Sequence, residues 1–324
     1  MKKVLNVTGT SKIFFSISIA IFIIGIICNC IFGVTLDIQF TGGTIIQYNY
    51  TGDIDTDAMK DLIQKETADT VSFNISENIT VGDDGNQLQN GYLLAVQFSG
   101  KKTITPDIMS NLTTKLQSTY PDNNFKMVDS QSVESSMGWK FFLKCITAVA
   151  IACVLMVIYV AFRFKKIGGL SAGVMALVAL FHDVLMIYFT FIILRMPIDS
   201  NFIAVTLMIL GYSLNDTIVI YDRVRENRKL MGGKKIEYAA LFNKSATQVL
   251  RRTICTSLTT LAAIVSVLAF ALVFNIQSVV SFALPMMVGI ISGCYSSVCI
   301  AGPLWVIWQN HKLASPKKKG KSRK

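Results

Sequence analysis

Charge is scarce in this chain and absent from long stretches of it. Only 16% of the 324 residues are Asp, Glu, Lys or Arg, and residues 253–310 contain none over 58 consecutive positions. A soluble chain of this length carries about 25% charged residues, so the composition excludes an ordinary soluble domain and points to a polytopic membrane protein. Histidine occurs only twice. The seven cysteines, at 28, 30, 145, 153, 255, 294 and 299, all lie inside apolar runs and show no CxxC spacing. A disulfide framework and a thiolate metal site are therefore not expected, and buried structural thiols are. No Walker A sequence is present, so ATP hydrolysis is excluded as the energy source. No catalytic residues, cofactor or metal are expected, and the chain is read as not being an enzyme.

What is present is apolar sequence cut into segments by rare charges. Residues 13–36 and 145–162 carry none, 167–194 hold only His182 and Asp183, and 200–221 hold only Asp216. One helix needs about 20 residues to cross a bilayer. The last run must then be two helices, with Asn275–Ser278 ("NIQS") as the turn. Six spans are predicted, near 13–33, 139–162, 168–194, 200–221, 253–274 and 279–308. The first run exceeds a signal-peptide core, and Ile26-Ile27 before Cys28 argues against lipoprotein cleavage, so an uncleaved anchor is expected.

With the N-terminus inside, 22 of the 31 Lys and Arg fall in inside segments. The positive-inside rule then places both termini in the cytoplasm of a multi-pass protein of the cell membrane. The net charge of +11 is read as this topology signal. No aromatics interleave the basic residues, so nucleic acid is not an expected partner. The "KKKGKSRK" tail is expected to touch anionic membrane lipids. The domain plan is an N-terminus and first span (1–33), an extracytoplasmic domain (34–138), spans two to six with a cytoplasmic loop at 222–252 (139–308), and a basic tail (309–324).

Residues 34–138 hold 14 acids and six lysines, a net charge of −8, and no membrane-length run. "LDIQFTGGTIIQYNY" alternates as a strand kinked or bulged at Gly42-Gly43. "DTDAMKDLIQKE" and "TPDIMSNLTTKLQSTY" have helical spacing and helix-start signals. "TVSFNI", "YLLAVQFSG" and "NFKMVDSQSVE" read as strands, and "GDDGNQLQNG" as a polar turn. The order β-α-β-β-α-β predicts a ferredoxin-like α+β domain. It has no His or Cys, no Ser-His-Asp set and no phosphate loop, which favours binding or mechanical coupling.

Three polar features interrupt the spans: His182-Asp183 in the third, Asn215-Asp216 in the fourth, and Arg251-Arg252 where the fifth is predicted to begin. A carboxylate at bilayer depth costs about 2.5–3.5 kcal/mol even on insertion scales, so such residues are functional by default. Low dielectric favours a neutral acid and a nearby guanidinium favours the anion. A carboxylate held between the two takes up and releases a proton as its cation withdraws and approaches. Asp216, Arg252, Asp183, His182 and Asn215 are therefore candidates for a proton relay. The blander alternatives are membrane anchoring for Arg251 and Arg252, and hydrogen bonding between helices for Asp216, His182, Asp183, Asn215 and Ser213. For Tyr221, Asp222, Arg223 and Glu226 the alternative is a surface salt-bridge network.

The stretches "LDIQFTGGT", "ALFHD", "LGYSLNDTIVIYDRVREN" and "TQVLRRTICTSLTT" together resemble SecF, a family of bacterial protein-export subunits within the RND superfamily. The resemblance runs from the first span to the sixth. It implies six spans with an extracytoplasmic domain between the first two, and a separate SecD-type subunit. It also implies use of the proton-motive force to draw unfolded secretory polypeptide from the SecYEG channel after SecA has acted. By motif match it implies roles in proton passage for Asp216 and Arg252, and none for Arg251. From the residues alone two other readings stand, an RND-type exporter of a lipid or small molecule and a passive assembly subunit. Sodium in place of the proton is also open.

Overall fold

The computed structural model describes residues 4–52, 54–67, 71–81, 88–98, 104–231, 237–274 and 276–314. The chain begins with α1 (Ser11–Phe32) and a helical turn, α2 (Ile38–Thr41). A sheet segment follows: β1 (Gly43–Tyr50), α3 (Thr56–Thr67), β2 (Val71–Val81), β3 (Leu88–Phe98), α4 (Pro106–Thr119) and β4 (Lys126–Val133). The remainder is helical: α5 (Ser135–Arg163), α6 (Gly169–Ile193), α7 (Ser200–Leu230), α8 (Tyr238–Val273) and α9 (Gln277–Ser296). A π-helical turn at Ser297–Ala301 carries α9 on into α10 (Gly302–Ala314). Among the described residues six helical stretches are long and apolar enough to cross a membrane, α9 and α10 counting as one.

The strands form one antiparallel sheet in the order β2-β3-β1-β4. Alternate residues of β1 and β3, among them Ile46, Tyr48, Leu94 and Val96, point to one face and are buried. There they meet Met59 and Ile63 of α3 and Leu112 and Leu116 of α4, pairs whose four-residue spacing puts them on one side of each helix. Pro106 occupies the first turn of α4, where its missing N–H removes no bond. Of the predicted turn over 82–91, residues 82–87 lie outside the described residues, and the rest is strand, because β3 starts at Leu88 and pairs with β2 from there.

The structure departs from the sequence reading in three further places. The loop expected at 222–252 is largely helix, because α7 runs on to Leu230 and α8 starts at Tyr238. Charged residues end a membrane span without ending a helix, since Arg, Glu and Lys are good helix formers. Arg252 thus lies 14 residues into α8, roughly 20 Å along its axis. Secondly, the first predicted strand is split. The Asp37 carboxylate accepts from the Gln39 N–H at 2.9 Å and caps α2, so β1 starts only at Gly43. Gly43 has φ +139°, and a Cβ there would sit 2.2 Å from the Phe98 carbonyl oxygen, which only glycine avoids. Thirdly, the last span is interrupted by the π turn.

In the bundle α6 and α7 are central; α1, α5 and α8 show apolar side chains outward. The sheet is tied to this bundle through α2. Phe40 is 3% exposed and packs on the rings of Phe141 and Phe142, with centroids at 5.7 and 5.4 Å. It joins a cluster with Ile187, Phe191, Val205 and Ile209. Beside it the Asp37 N–H donates to the Ile198 carbonyl (3.0 Å) and the Ile198 N–H to the Thr35 carbonyl (2.9 Å). The end of α1 is thereby joined to the residue two before α7.

Candidate functional site

Asp183 lies midway along α6 and is fully buried. Three serine hydroxyls donate to its carboxylate: Ser213 of α7 at 2.6 Å, Ser292 of α9 at 2.6 Å and Ser296 of α9 at 2.7 Å. Ser292 and Ser296 are four residues apart and so share one face of α9. Gly293 between them lets α9 close on α7, since a Cβ there would lie 3.0 Å from the Ser213 Cβ. Hydrogen bonds to an ionised acceptor are about twice as strong as neutral ones, and this carboxylate accepts on both oxygens.

His182 extends the network. Its Nδ1 is 3.2 Å from Asp183 Oδ1, and its Nε2 is 3.2 Å from Ser18 Oγ on α1. The Tyr295 hydroxyl lies 3.1 Å from Ser18 Oγ and donates to the Phe14 carbonyl at 2.7 Å. Phe22 packs on the imidazole with centroids 5.1 Å apart. One polar network therefore joins α1, α6, α7 and α9 inside the bundle.

Asp216, one turn beyond Ser213 on α7, is 3% exposed, and its Oδ2 has no hydrogen-bond partner. Arg252 of α8 and Cys294 of α9 interact with it electrostatically. No ion pair joins Asp216 and Arg252 among the described residues, and the Arg252 side is exposed. The neighbouring Thr217 donates to Ser297 Oγ (2.9 Å), which donates to the Ser213 carbonyl (3.1 Å), so the π turn is bonded directly to this part of α7. Asn215 is exposed on another face of α7, away from both carboxylates, as is Arg251 on α8. The structure thus gathers Asp183 and His182, sets Asp216 and Arg252 within electrostatic reach, and leaves Asn215 apart.

Asp222, Arg223 and Glu226 form surface ion pairs: Arg163–Asp222 at 3.1 Å, Arg225–Asp222 at 2.8 Å and Arg223–Glu226 at 2.6 Å. Tyr221 is instead 1% exposed, against Phe164 and Trp305. At the sheet end, Asp37 and Asp199 are half-buried, and burial holds both carboxyls above the ordinary 3.8. The charge of Asp37 raises Asp199 further. Sequence reasoning passed over Ser18, Ser292, Ser296 and Tyr295. The one available signal was the pair of serines at i and i+4 in "SGCYSS".

Comparison with known proteins finds the family described as "Protein export membrane protein SecD/SecF, C-terminal" over residues 111–311. The chain belongs to the SecD/SecF family. The match takes in His182, Asp183, Asp216, Arg252 and the serines of α7 and α9; Ser18 lies ahead of it. Similar SecD/SecF proteins include the protein translocase subunit SecF of Sebaldella termitidis, 32% identical over 99% of this chain and 96% of that one. The SecF of Alicyclobacillus acidocaldarius is 30% identical over 97% of this chain and 96% of its own length. The SecDF of Bacillus subtilis is 30% identical over 94% of this chain but only 38% of that longer protein. Among solved structures, a Thermus SecDF described as a translocon-associated membrane protein has a TM-score of 0.76 at 27% identity over 95% of this chain. A SecDF in a super-membrane-facing form has a TM-score of 0.65 at 27% identity over 97% of this chain. This chain spans about two fifths, 39% and 40%, of those SecDF chains. The six apolar helices among its described residues, together with these relatives, make it a polytopic helical membrane protein.

Proposed function

We propose that this chain is a SecF-type subunit of the protein translocase, a non-enzymatic accessory in protein export. It works with a SecD-type subunit, and proton movement through its membrane bundle promotes the late steps of export. In this reading the sheet segment is a ferredoxin-like domain outside the cytoplasmic membrane and both termini are cytoplasmic. Its further partners are the SecYEG channel, SecA, the unfolded secretory polypeptide and membrane lipids. The SecF names of relatives matched over nearly the whole chain support export and do not favour an exporter of lipids or small molecules. The SecDF fusion supports a SecD-type partner.

One observation carries the proton part. Asp216 is buried in α7 with an unbonded carboxylate oxygen, and Arg252, the cation that acts on it electrostatically, forms no ion pair with it among the described residues. An acid with a free oxygen has room to accept a proton, whereas Asp183, held by three hydroxyls, is fixed. Asp216 with Arg252 is the exchanging site, and Asp183 with His182 is its buried anchor. Asp216→Asn keeps size and hydrogen bonding but does not titrate. In inverted membrane vesicles carrying normal amounts of the variant, gradient-dependent stimulation of export is expected to vanish. Stimulation equal to that of the parent would make Asp216 structural and end the relay reading.

A further inference from the structure

The outward side of α6 is a single stripe. Leu170, Val174, Val178 and Phe181 are the exposed residues of that helix before Ile193, and their spacing sets them one above another. From Leu170 to Phe181 the stripe runs ~16 Å at the helical rise, about half of a ~30 Å hydrocarbon core and so the depth of one leaflet. Lipid tails cover any such stripe, and its length alone assigns nothing. Its Leu170 end is different. There a groove of about 790 Å³ opens between the first turns of α6 and the last turn of α10, lined among others by Leu170, Val174, Trp308 and Lys312. Its walls are tied together: the Gln309 amide of α10 donates to the Ile167 carbonyl at 3.3 Å and to the Ser171 hydroxyl at 2.8 Å. Trp308 is half-exposed beside the apolar wall, an indole of the kind that sits where hydrocarbon meets headgroups.

The rim is cationic. Lys312 lines the groove, and Lys165 and Lys166 lie in the single helical turn that runs into Gly168, another lining residue. All three are exposed, and none has an acidic partner among the described residues, whereas Arg163 just before them is paired with Asp222 at 3.1 Å. Unneutralised ammonium groups at the head of an apolar stripe one leaflet deep complement an anionic phospholipid. A zwitterionic lipid brings a cation of its own to the same rim. The chain's own C-terminal "KKKGKSRK" carries the wrong sign to fill it.

We infer that the groove between α6 and α10 is a binding site for an anionic phospholipid, its phosphate at Lys165, Lys166 and Lys312 and one acyl chain along Leu170, Val174, Val178 and Phe181. Its assignment to the cytoplasmic leaflet rests on the topology proposed above; the site itself does not. A lipid seated there joins the α5–α6 turn to α10 on the outer side of the helix whose inner side carries His182 and Asp183.

The test uses the full-length protein in phosphatidylcholine nanodiscs. These are doped with phosphatidylglycerol or phosphatidylcholine carrying the same photoreactive diazirine in one acyl chain, and cross-linked residues are mapped by mass spectrometry. The phosphatidylcholine probe reports lipid contact in general and is expected to label the α6 stripe and the exposed Leu155 and Ile158 of α5 alike. The phosphatidylglycerol probe is expected to favour the stripe over α5 several-fold. Lys165→Gln, Lys166→Gln and Lys312→Gln together are expected to abolish that preference, and the same three changes to Arg, which keep the charge, to retain it. Equal patterns from the two probes in the parent would overturn the inference, as would a preference that survives the Gln variant or is lost in the Arg variant. So would a preference abolished by Lys317→Gln, Lys318→Gln and Lys319→Gln, which would assign capture to the tail. Abolition by soluble glycerol 1-phosphate at the concentration of the lipid probe would also overturn it, by making the rim a site for free phosphate esters. None of these measurements reads export, so failure of this test is distinct from failure of the Asp216 relay.

Discussion

The two buried carboxylates make opposite predictions for the same substitution. In Asp183→Asn the side chain keeps its shape but loses its charge, and three hydroxyl donors lose an ionised acceptor. A hydrogen bond to a charged group contributes about 1.5–3 kcal/mol and a neutral one about 0.5–1.5 kcal/mol, so each of these bonds weakens by about 1 kcal/mol. The amide nitrogen also replaces an acceptor with a donor and faces a hydroxyl that already donates, leaving a buried group unsatisfied at about 1–3 kcal/mol. The expected destabilisation is about 4–6 kcal/mol. Asp216→Asn removes no bond from Oδ2, which has none, and the expected change is below about 1 kcal/mol. Unfolding of the purified protein in mixed micelles of increasing SDS content measures both. Trp305, fully buried between Tyr221 and Tyr238, provides a fluorescence signal for loss of the core. Equal midpoints for the two variants would refute the distinction between a caged and an open carboxylate. So would an Asp183→Asn midpoint at the parent value.

Two further predictions concern the junction between sheet and bundle. Gly43→Ala places a methyl 2.2 Å from the Phe98 carbonyl at φ +139°, so β1 must shift; a loss of at least about 2 kcal/mol is expected in the same unfolding assay, and a parent-like midpoint would refute the close approach. Burial holds Asp37 and Asp199 above 3.8, so between 3.8 and those raised values the folded chain binds more protons than the unfolded one; their contribution to stability grows as pH falls through that window and is lost as pH rises through it. Asp199→Asn keeps the cap on α7 but removes one of the two charges, so its stability should depend less on pH from about 4 upward; an unchanged slope would show that the pair does not titrate as described.

The helices were legible because a bilayer leaves few alternatives to an apolar run, and α6 matches its predicted span to within a residue at each end. The far ends of α7 and α8 were not, because hydropathy reports where lipid stops and not where a helix does. The turn α2 was hidden by chemistry local to Asp37, whose side chain takes over a backbone N–H that alternation had assigned to a strand. In the site, Asp183 and Asp216 stood out by charge alone. Of the serines that cage Asp183, Ser213 was read as a bond between helices, and Ser292 and Ser296 were passed over. A serine or threonine in a membrane helix can satisfy itself on the carbonyl four residues back, as Ser266 does at 3.0 Å and Thr190 at 2.8 Å. Nothing in a single sequence separates those from Ser292 or Ser296, which reach across to another helix. Asn215 illustrates the converse error, since adjacency to Asp216 in sequence turns it about 100° away around a helix.

The position of Asp216 also bears on what a change there would reach. It sits on the same helix as Ser213, which holds Asp183, and as the segment capped by Asp199, whose carboxylate accepts from the Phe202 N–H at 3.2 Å. Ile198, next to that cap, is bonded through its backbone to Thr35 and Asp37 on both sides. Asp37 in turn caps α2, and α2 plants Phe40 in the bundle one residue before the chain passes to Thr41 and the sheet. Each link is a backbone hydrogen bond, a helix cap or a packed ring, and none contains a flexible side chain long enough to absorb a shift of an ångström or more. An axial movement of α7 is therefore felt at β1 through elements that are short and fully bonded. Helix α1, which the His182–Ser18 contact ties to α6, leads into the same α2 from the other side. The FTGGT segment lies where these two paths of contact meet, and its second glycine is the residue that lets β1 leave it against Phe98.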